Sequence, residues 1–333
     1  MNPKPSTVRF AVIGCGLIGH KRARSARGKA QITVCCDLQQ DRATELASQC
    51  GGAAVSNCWE QALRRDDVDA AFVCTSHHLL APITEAAAKS GKHVLVEKPA
   101  ARRAEELDPA LAAVAQTGAL VRIGFNHRYH RALRKAREIV DSGALGELYF
   151  IRGRYGHGGR PGYEKEWRAF PEISGGGEAV DQGVHLIDLA RWFLGDFDLV
   201  GGRAPTYFWQ MPVEDNAFLL LETPARQIAF LHASWTEWKN LFSFEITGRT
   251  GKLEITGLGG SYGVERLAHY QMQPELGPPP TTIYEYPMPD DSWDYELDAF
   301  LSDIRHRKAP QPGIADAQAA LRIVEALYRQ QKS

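Results

Sequence analysis

The chain reads as an α/β protein: an N-terminal doubly wound parallel sheet, then an α+β domain built on a large, mainly antiparallel sheet. Three observations predict this. Apolar β-branched runs alternate with helical segments over the first ~125 residues, the rhythm of strand–helix–strand units. After Phe125 the rhythm changes to strand-like runs with few helices between them. All six cysteines (Cys15, Cys35, Cys36, Cys50, Cys58, Cys74) lie in the first 74 of 333 residues, so the two ends of the chain are unlike in composition.

The elements follow in order. Val8 to Ile13 is a short apolar strand, and Leu17 to Arg27 a helix with a basic outer face. Gln31 to Cys36 is a second strand, ending at Asp37, and Asp41 to Gln49 is helical. Ala70 to Cys74 is continuously apolar, as a strand buried on both faces must be. Pro82 to Lys89 is an Ala-rich helix closed by Gly91; His93 to Val96, Ala104 to Gln116 and Leu120 to Gly124 are strand, helix and strand. Beyond these, Arg131 to Asp141 is a helix and Leu148 to Tyr155 a strand. A Gly-rich stretch follows, Gly156 to Gly162, and the segment around Tyr155, His157, Arg160, Tyr163 and Trp167 is read as a mobile flap over the site. A helix runs from about Glu178 to Leu194, then strands at Ala217–Glu222, Gln227–Trp235, Phe242–Thr247, Leu253–Thr256 and Thr282–Tyr286. Thr223-Pro224-Ala225 and Gly248–Gly251 read as hairpin loops. Helices at Trp293–His306 and Ala315–Gln330 finish the chain.

Composition bounds the function. Hydrophobic residues are 44% and charged residues 24% of the chain, ordinary for a globular protein with its own core. Net charge is −1, so the whole chain lacks the basic field of a non-specific nucleic-acid binder. No apolar run approaches the ~20 residues of a membrane span. Met1 to Arg9 has no signal-peptide apolar core, which makes the cytoplasm the expected location. The cysteines have no CxxC spacing, so buried reduced thiols are expected rather than zinc or thioredoxin chemistry. Up to Gly124 there are 16 Lys+Arg against 12 Asp+Glu, a charge of +4; the remainder carries −5. That asymmetry suits an anionic cofactor in the first half, or reflects ordinary solvated helix faces.

Gly14-Cys15-Gly16-Leu17-Ile18-Gly19 is a GxGxxG segment between the first strand and the first helix, the context of a Rossmann dinucleotide turn. Gly14 permits the tight turn, Gly16 lets backbone approach a pyrophosphate, and Gly19 lets helix and strand pack closely. The helix start offers free N–H groups to the phosphates. Asp37, 18 residues after Gly19, can accept from adenosine ribose hydroxyls and would repel a 2′-phosphate. NAD is therefore favoured over NADP, with Arg42 as the one residue that weakens the preference.

Asp181, His185 and Asp188 fall at i, i+4 and i+7, on one helical stripe, beside the apolar Val180, Val184, Ile187 and Leu194. Spacing alone leaves open a solvated polar stripe or an acid/base pair; no third ligand with metal spacing accompanies it, so no metal is read. Gly183 within the helix suggests a close approach there, since glycine costs about 1 kcal/mol against alanine. Trp167, Trp235 and Trp238 stand among polar residues, suited to sugar rings and polyols or to core packing. Arg160 and Arg168 are candidates for a phosphate or carboxylate, or solvated arginines.

Four segments carry a family resemblance. Gly91-Lys92-His93-Val94-Leu95-Val96-Glu97-Lys98-Pro99 resembles the strand-plus-"EKP" signature of the Gfo/Idh/MocA oxidoreductases. Gly124-Phe125-Asn126-His127-Arg128-Tyr129 is similar to that family's link into its second domain, and Ser142-Gly143-Ala144-Leu145-Gly146-Glu147 to its next helix-to-strand turn. Gly175-Gly176-Gly177 through Asp181-Gln182-Gly183-Val184-His185-Leu186-Ile187-Asp188 resembles its GGG…DxGxHxxD helix. The segments stand in the family's order and, with the architecture, cover essentially the whole chain. A fifth segment departs: where relatives carry Thr-Pro-Asn-x-x-His, this chain has Thr75-Ser76-His77-His78-Leu79-Leu80.

The resemblance implies an NAD(P)-dependent oxidoreductase moving hydride between a nicotinamide and a hydroxyl or keto carbon of a sugar, polyol or nucleotide sugar. It makes His185 the acid/base, places Asp181 beside it, and has Lys98 donate to the substrate oxygen. Gly14, Gly16, Leu17, Ile18, Gly19, Asp37, Thr75, Glu97 and Lys98 are expected at the cofactor. Lys98, Arg128, Tyr155, Trp167, Asp181 and His185 are expected at the substrate. Residues 1–124 form the expected dinucleotide domain and 125–333 the substrate and oligomerisation domain, its last helix free to pack back on the first. A homodimer or homotetramer through the second sheet is implied. Two other functions stay open: an NAD-dependent glycoside hydrolase working by transient oxidation, and a non-catalytic NAD-binding sensor. Neither nucleic acid nor membrane is an expected partner.

Overall fold

The computed structural model describes residues 7–275 and 277–332. Most of Met1 to Arg9, the segment that bears on export, therefore lies outside the described residues. The chain divides into two compact units. One runs through Phe125 and includes Trp293–Gln318; the other is Asn126–Ser292 with the chain after Gln318. Trp293–Gln318 thus groups with the first sheet, whereas the sequence places it in the 125–333 domain, with only the last helix free to pack back on the first.

The first unit holds β1 (Arg9–Ile13), α1 (Leu17–Ser25), β2 (Gln31–Cys36), α2 (Gln40–Gln49), β3 (Ala54–Ser56), α3 (Trp59–Leu63), β4 (Ala70–Val73), α4 (His77–Lys89), β5 (His93–Glu97), α5 (Asp108–Thr117) and β6 (Val121–Gly124). Six parallel strands lie in the order β3-β2-β1-β4-β5-β6, so the sheet reverses direction of travel between β1 and β4. In such sheets ligands bind beyond the carboxyl ends of the strands at that reversal. β4 and the last four residues of β1 are buried throughout, which explains their unbroken apolar runs. Phe10 stacks on Phe72 at 4.2 Å across the β1–β4 pair, and Phe300 meets it edge-on at 6.4 Å.

The second unit holds α6 (Arg131–Asp141), β7 (Leu148–Gly156), α7 (Pro171–Ser174), α8 (Val184–Leu194), β8 (Asp198–Arg203), β9 (Asn216–Glu222), β10 (Ile228–Ser234), β11 (Leu241–Gly248), β12 (Gly251–Thr256), β13 (Glu265–Gln271) and β14 (Thr281–Tyr286). Its sheet has the order β14-β13-β12-β11-β7-β10-β9-β8, antiparallel except where β10 runs parallel to β7. Alternate residues point inward: Ile151 and Gly153 on β7, Leu219 and Leu221 on β9, and Phe244 and Ile246 on β11 are buried. The helices α9 (Ser292–His306) and α10 (Ile314–Lys332) close the chain.

α9 corrects one reading of the sequence. Leu297 and Phe300 belong to the core cluster of the parallel sheet. Arg22, taken as part of a basic outer face on α1, is completely buried. Its guanidinium donates to Glu97 at 2.7 Å and to Glu296 of α9 at 2.5 Å, and lies over the Trp293 ring at 4.4 Å. Arg122 makes a second buried pair with Asp303. Sequence periodicity cannot reveal such pairs, because the partners are some 180 to 270 residues away.

Two carboxylates share one guanidinium in this triad. Burial pushes the Glu296 carboxyl above its ordinary value; Arg22 pulls it back and Glu97 adds to the push. A raised carboxyl binds more protons folded than unfolded, so its stabilising contribution is greatest below the ordinary Glu range and is lost as pH rises through the raised value. Glu296→Gln should therefore show a shallower loss of stability than the wild type as pH rises above the ordinary Glu range. Urea unfolding at a series of pH values measures the two slopes; equal slopes would contradict the assignment.

Candidate active site

In the first unit the glycine turn is built by backbone crossings. Gly14 has φ +93°, gives its N–H to Cys36 O at 2.8 Å, and a Cβ there would lie 2.6 Å from Cys74 O. A Cβ on Gly19 would lie 2.1 Å from Gly14 O, so α1 can rest on the turn only with glycine at 19. A Cβ on Gly16 would meet nothing within 4 Å: this position faces open space. No side chain caps the N-terminus of α1 and its first turn holds no acid, so its N–H groups and positive dipole end suit an anion.

Asp37 joins this cradle. Its Oδ2 accepts the Cys15 N–H at 2.8 Å and its Oδ1 the Gln39 N–H at 2.9 Å. Each oxygen keeps a second lone pair for hydroxyls. Leu17 and Leu38 are exposed on either side, and Ile18 is half-buried. Thr75 Oγ1 is buried without a hydrogen-bond partner among the described residues. The open Gly16 face, the uncapped helix and the orphaned Thr75 hydroxyl fit a dinucleotide. Glu97 is held by Arg22, so it braces the end of β5, and Lys98 follows it, half-buried. Leu80, at the position where relatives carry histidine, is buried in α4. That helix begins at His77, five residues before the expected start at Pro82.

In the second unit three glycines in a row have separate tasks. Gly175 ends α7 with φ +85°. A Cβ on Gly176 would collide with Tyr328 Oη at 2.0 Å, and one on Gly177 with Glu214 O at 1.9 Å. The Glu214 carboxylate then accepts the N–H groups of Gly177 and Ala179, each at 3.0 Å, and the Tyr328 hydroxyl at 2.6 Å. It caps the helix that follows. Sequence reading missed Glu214 because it lies 35 residues beyond Ala179.

That helix opens with a π turn, Ala179–Gly183, before α8. The expected straight helix from Glu178 is thus widened where the candidate residues lie, as single π turns at functional sites often are. Asp181, His185 and Asp188 are all buried, not a solvated stripe. Gly183 corrects another expectation: a Cβ there would make only van der Waals contacts, the nearest at 3.4 Å to Glu178 O.

The structure brings Asp181, His185 and Tyr155 into one cluster. The His185 and His127 rings lie 3.8 Å apart at 34°, and Tyr155 meets them edge-on at 6.1 and 5.0 Å. Burial pushes the Tyr155 hydroxyl well above its ordinary value, so at neutral pH it stays protonated, hydrogen-bonded to Tyr262. Asp181 Oδ2 accepts Arg168 Nε at 3.0 Å, and the Arg168 guanidinium lies over Trp167 at 4.5 Å. Gln182 Oε1 is buried without a hydrogen-bond partner among the described residues.

Other expected residues stand elsewhere. Arg128 grips Asp188 with two hydrogen bonds, 2.8 and 2.6 Å. Arg160 pairs with Glu166 at 2.6 Å. Trp235 is fully buried with Tyr163, Trp209 and Val213, so it is core and offers no face to a ligand. Tyr163, expected in a loose flap, is an anchor of that core. The sequence pointed to Tyr155 and the DxGxH set; it gave no signal for the His127 stack or the Arg168–Asp181 pair, which are decided by packing.

Comparisons with known proteins agree with this architecture. Residues 8–125 match the model of an oxidoreductase family with an NAD-binding Rossmann fold, and residues 133–254 match the GFO/IDH/MocA C-terminal domain. A dTDP-3,4-didehydro-2,6-dideoxy-alpha-D-glucose 3-reductase of Streptomyces violaceoruber is 31% identical over 251 residues, 74% of this chain and 72% of the relative. A levoglucosan dehydrogenase of Pseudarthrobacter phenanthrenivorans is 30% identical over 185 residues, 55% of this chain and 47% of that protein. The chain therefore spans about half the length of that relative. A solved levoglucosan dehydrogenase in complex with NADH superposes with a TM-score of 0.87 at 22% identity, covering 97% of this chain and 96% of that one.

The glycines divide into required and replaceable. Gly177→Ala should destabilise by about 2 kcal/mol or more, because backbone must shift to admit the methyl. Gly183→Ala should be neutral or stabilising by up to about 1 kcal/mol. Thermal unfolding of the two variants measures the contrast; equal effects would contradict it.

Proposed function

We propose, given that this chain belongs to the GFO/IDH/MocA oxidoreductase family, that it is an NAD-dependent dehydrogenase or reductase acting on a hydroxyl or keto carbon of a sugar, polyol or nucleotide sugar. The observation that carries the reading is a pair of features in one chain. An uncapped glycine cradle with Asp37 stands in the first unit. Asp181 and His185 are buried together on one widened helix in the second.

The nicotinamide, when bound, supplies the site that takes or gives hydride. The chain's residues do the rest. His185, whose ordinary pKa is about 6.5, takes the hydroxyl proton in oxidation and returns it in reduction. The His127 ring fixes its plane by stacking. Asp181 carries negative charge beside it, held by Arg168. Lys98 donates to the substrate oxygen and stabilises alkoxide character by its charge. Asp37 directs the choice of NAD over NADP. Arg128 supports α8 through Asp188 rather than touching substrate.

The named relatives are a dehydrogenase and a reductase. They favour this reading over a glycoside hydrolase or a sensor, and a sensor would need no acid/base. The eight-stranded sheet supports a homodimer or homotetramer: Phe230 of β10, opposite Leu220 and Arg152 in register, is exposed with Leu220 and Ile283. All six cysteines are free thiols, which supports a cytoplasmic setting. No helix of the described residues is long and apolar enough to cross a membrane.

His185→Ala and Lys98→Ala should each abolish NADH formation from a panel of sugars, inositols and nucleotide sugars while leaving NAD binding nearly intact. Full turnover in either variant would remove that residue from the mechanism. Asp37→Ala should weaken NAD binding about tenfold, by loss of charge-assisted hydrogen bonds, and leave NADP binding unchanged or tighter. Calorimetric titration with both cofactors measures the ratio.

A further inference from the structure

His185 stands between two acids of its own helical stretch, Asp181 four residues before it and Asp188 three after. All three side chains are buried. Residues three and four apart on a helix are neighbours, with Cβ atoms about 5–6 Å apart. An acid at that range favours the charged imidazole. Two such acids without counter-ions would hold His185 protonated at neutral pH, and a protonated imidazole cannot take a hydroxyl proton.

Each acid is closed by an arginine from another segment. Arg128, on the turn Asn126–Tyr129, grips Asp188 at 2.8 and 2.6 Å. Arg168, on the turn Trp167–Ala169, gives its Nε–H to Asp181 Oδ2 at 3.0 Å. The first pair is core: the Arg128 side chain is 9% and that of Asp188 1% exposed. The Arg168 side chain is 30% exposed, so its charge can be changed without emptying a packed interior.

The segment around Arg168 reserves it for Asp181. Trp167 lies against its guanidinium at 4.5 Å. Glu166 is the competing acid, but Arg160 takes that carboxylate at 2.6 Å, and Arg168 Nη1 stays 3.8 Å from it. Burial works against the Arg168 charge, and Asp181 outweighs it, so the guanidinium stays above its ordinary value.

The other groups facing His185 come from several elements. His127 stacks on it at 3.8 Å and Tyr155 of β7 meets it at 6.1 Å. Beyond His127 lies His130, 5.5 Å from it and 3.1 Å from Glu265 of β13. Tyr262 meets Tyr155 at 5.5 Å. Burial pushes both tyrosines up, so neither is charged at neutral pH. Glu178, buried at the start of the π turn, is the remaining carboxyl and acts on both tyrosines. β10 faces this turn with the apolar Ala233.

We propose that Arg168 is a positioning residue that acts on His185 through Asp181: by closing that carboxylate it leaves the imidazole neutral and ready to take the substrate proton at neutral pH. The inference rests on the acid/base reading of His185 above. A merely structural brace would leave the His185 titration where it is.

The test follows the isotope-labelled His185 imidazole by NMR across about pH 5 to 9 in the NAD-saturated protein. His185→Ala identifies its signal among the 11 histidines. Lys98 and Glu178 are the same in every variant, so their charges cancel from the comparison. Arg168→Gln should raise the His185 midpoint by about one pH unit, a tenfold gain in proton affinity. Arg168→Lys keeps the charge and should stay within about 0.3 of the wild type. Asp181→Asn should lower the midpoint, and Arg168→Gln combined with Asp181→Asn should return it to within about 0.3 of the wild type. The proposal is overturned if Arg168→Gln leaves the midpoint unmoved, if Arg168→Lys raises it as far, or if the rise persists undiminished in the double variant. Should Arg168→Gln alone not fold, because Asp181 is left buried and unpaired, the double variant read against Asp181→Asn carries the test. A midpoint there no higher than in Asp181→Asn overturns the proposal. Full turnover in His185→Ala would remove the acid/base reading and leave the measured ion-pair effect standing.

Discussion

Backbone passes where a side chain would otherwise be, and both halves of the proposed chemistry rest on that constraint. Gly14 O lies 2.1 Å from the place of a Cβ on Gly19, and Glu214 O lies 1.9 Å from one on Gly177. In the first unit the crossing lets α1 start directly at the end of β1, with its N–H groups uncapped. In the second it seats the start of the Asp181 helix on Glu214, whose carboxylate takes the N–H groups a helix end leaves unpaired. One crossing leaves helix donors for an anionic ligand; the other satisfies them and frees side chains further along.

Buried charge fastens these parts in place. Arg22 ties Glu97, at the end of β5, to Glu296 on α9. Arg128 ties the segment after Phe125 to α8 through Asp188. Removing one member of such a pair costs about 3–5 kcal/mol, because the other charge is left buried alone. These pairs fix the residues next to Lys98 and the helix that carries His185, so their role in function is through position.

Much of the fold was legible because burial writes itself into sequence. β1, β2, β4 and β5 are apolar runs, and α6 matches its expected bounds, Arg131 to Asp141. The elements that escaped are short or polar. β3 has three residues and α3 five. β8 carries two glycines and two charges. β13 begins with Glu265, which is buried and accepts the Ala132 N–H, so its polar spelling hides an inward position. In the candidate site, residues tied to a motif were visible: the glycines, Asp37, Lys98, Asp181 and His185. Trp235 was left open between sugar binding and core packing, because a tryptophan among polar neighbours looks alike whether its ring faces solvent or core.

By itself the sequence determined what repeats along the chain or sits in a fixed local frame: two unlike halves, the parallel sheet, the glycine turn with its acid, and a helix bearing Asp181 and His185. Only tertiary structure decided which charges are buried and with whom. It paired Arg22 with Glu296, Arg168 with Asp181 and His127 with His185, widened the helix at Ala179–Gly183, and turned Trp235 inward and Trp238 outward. Local periodicity reports the face of an element on which a residue lies. The partner on that face comes from distant chain, and its charge, size and hydrogen bonds settle the residue's role.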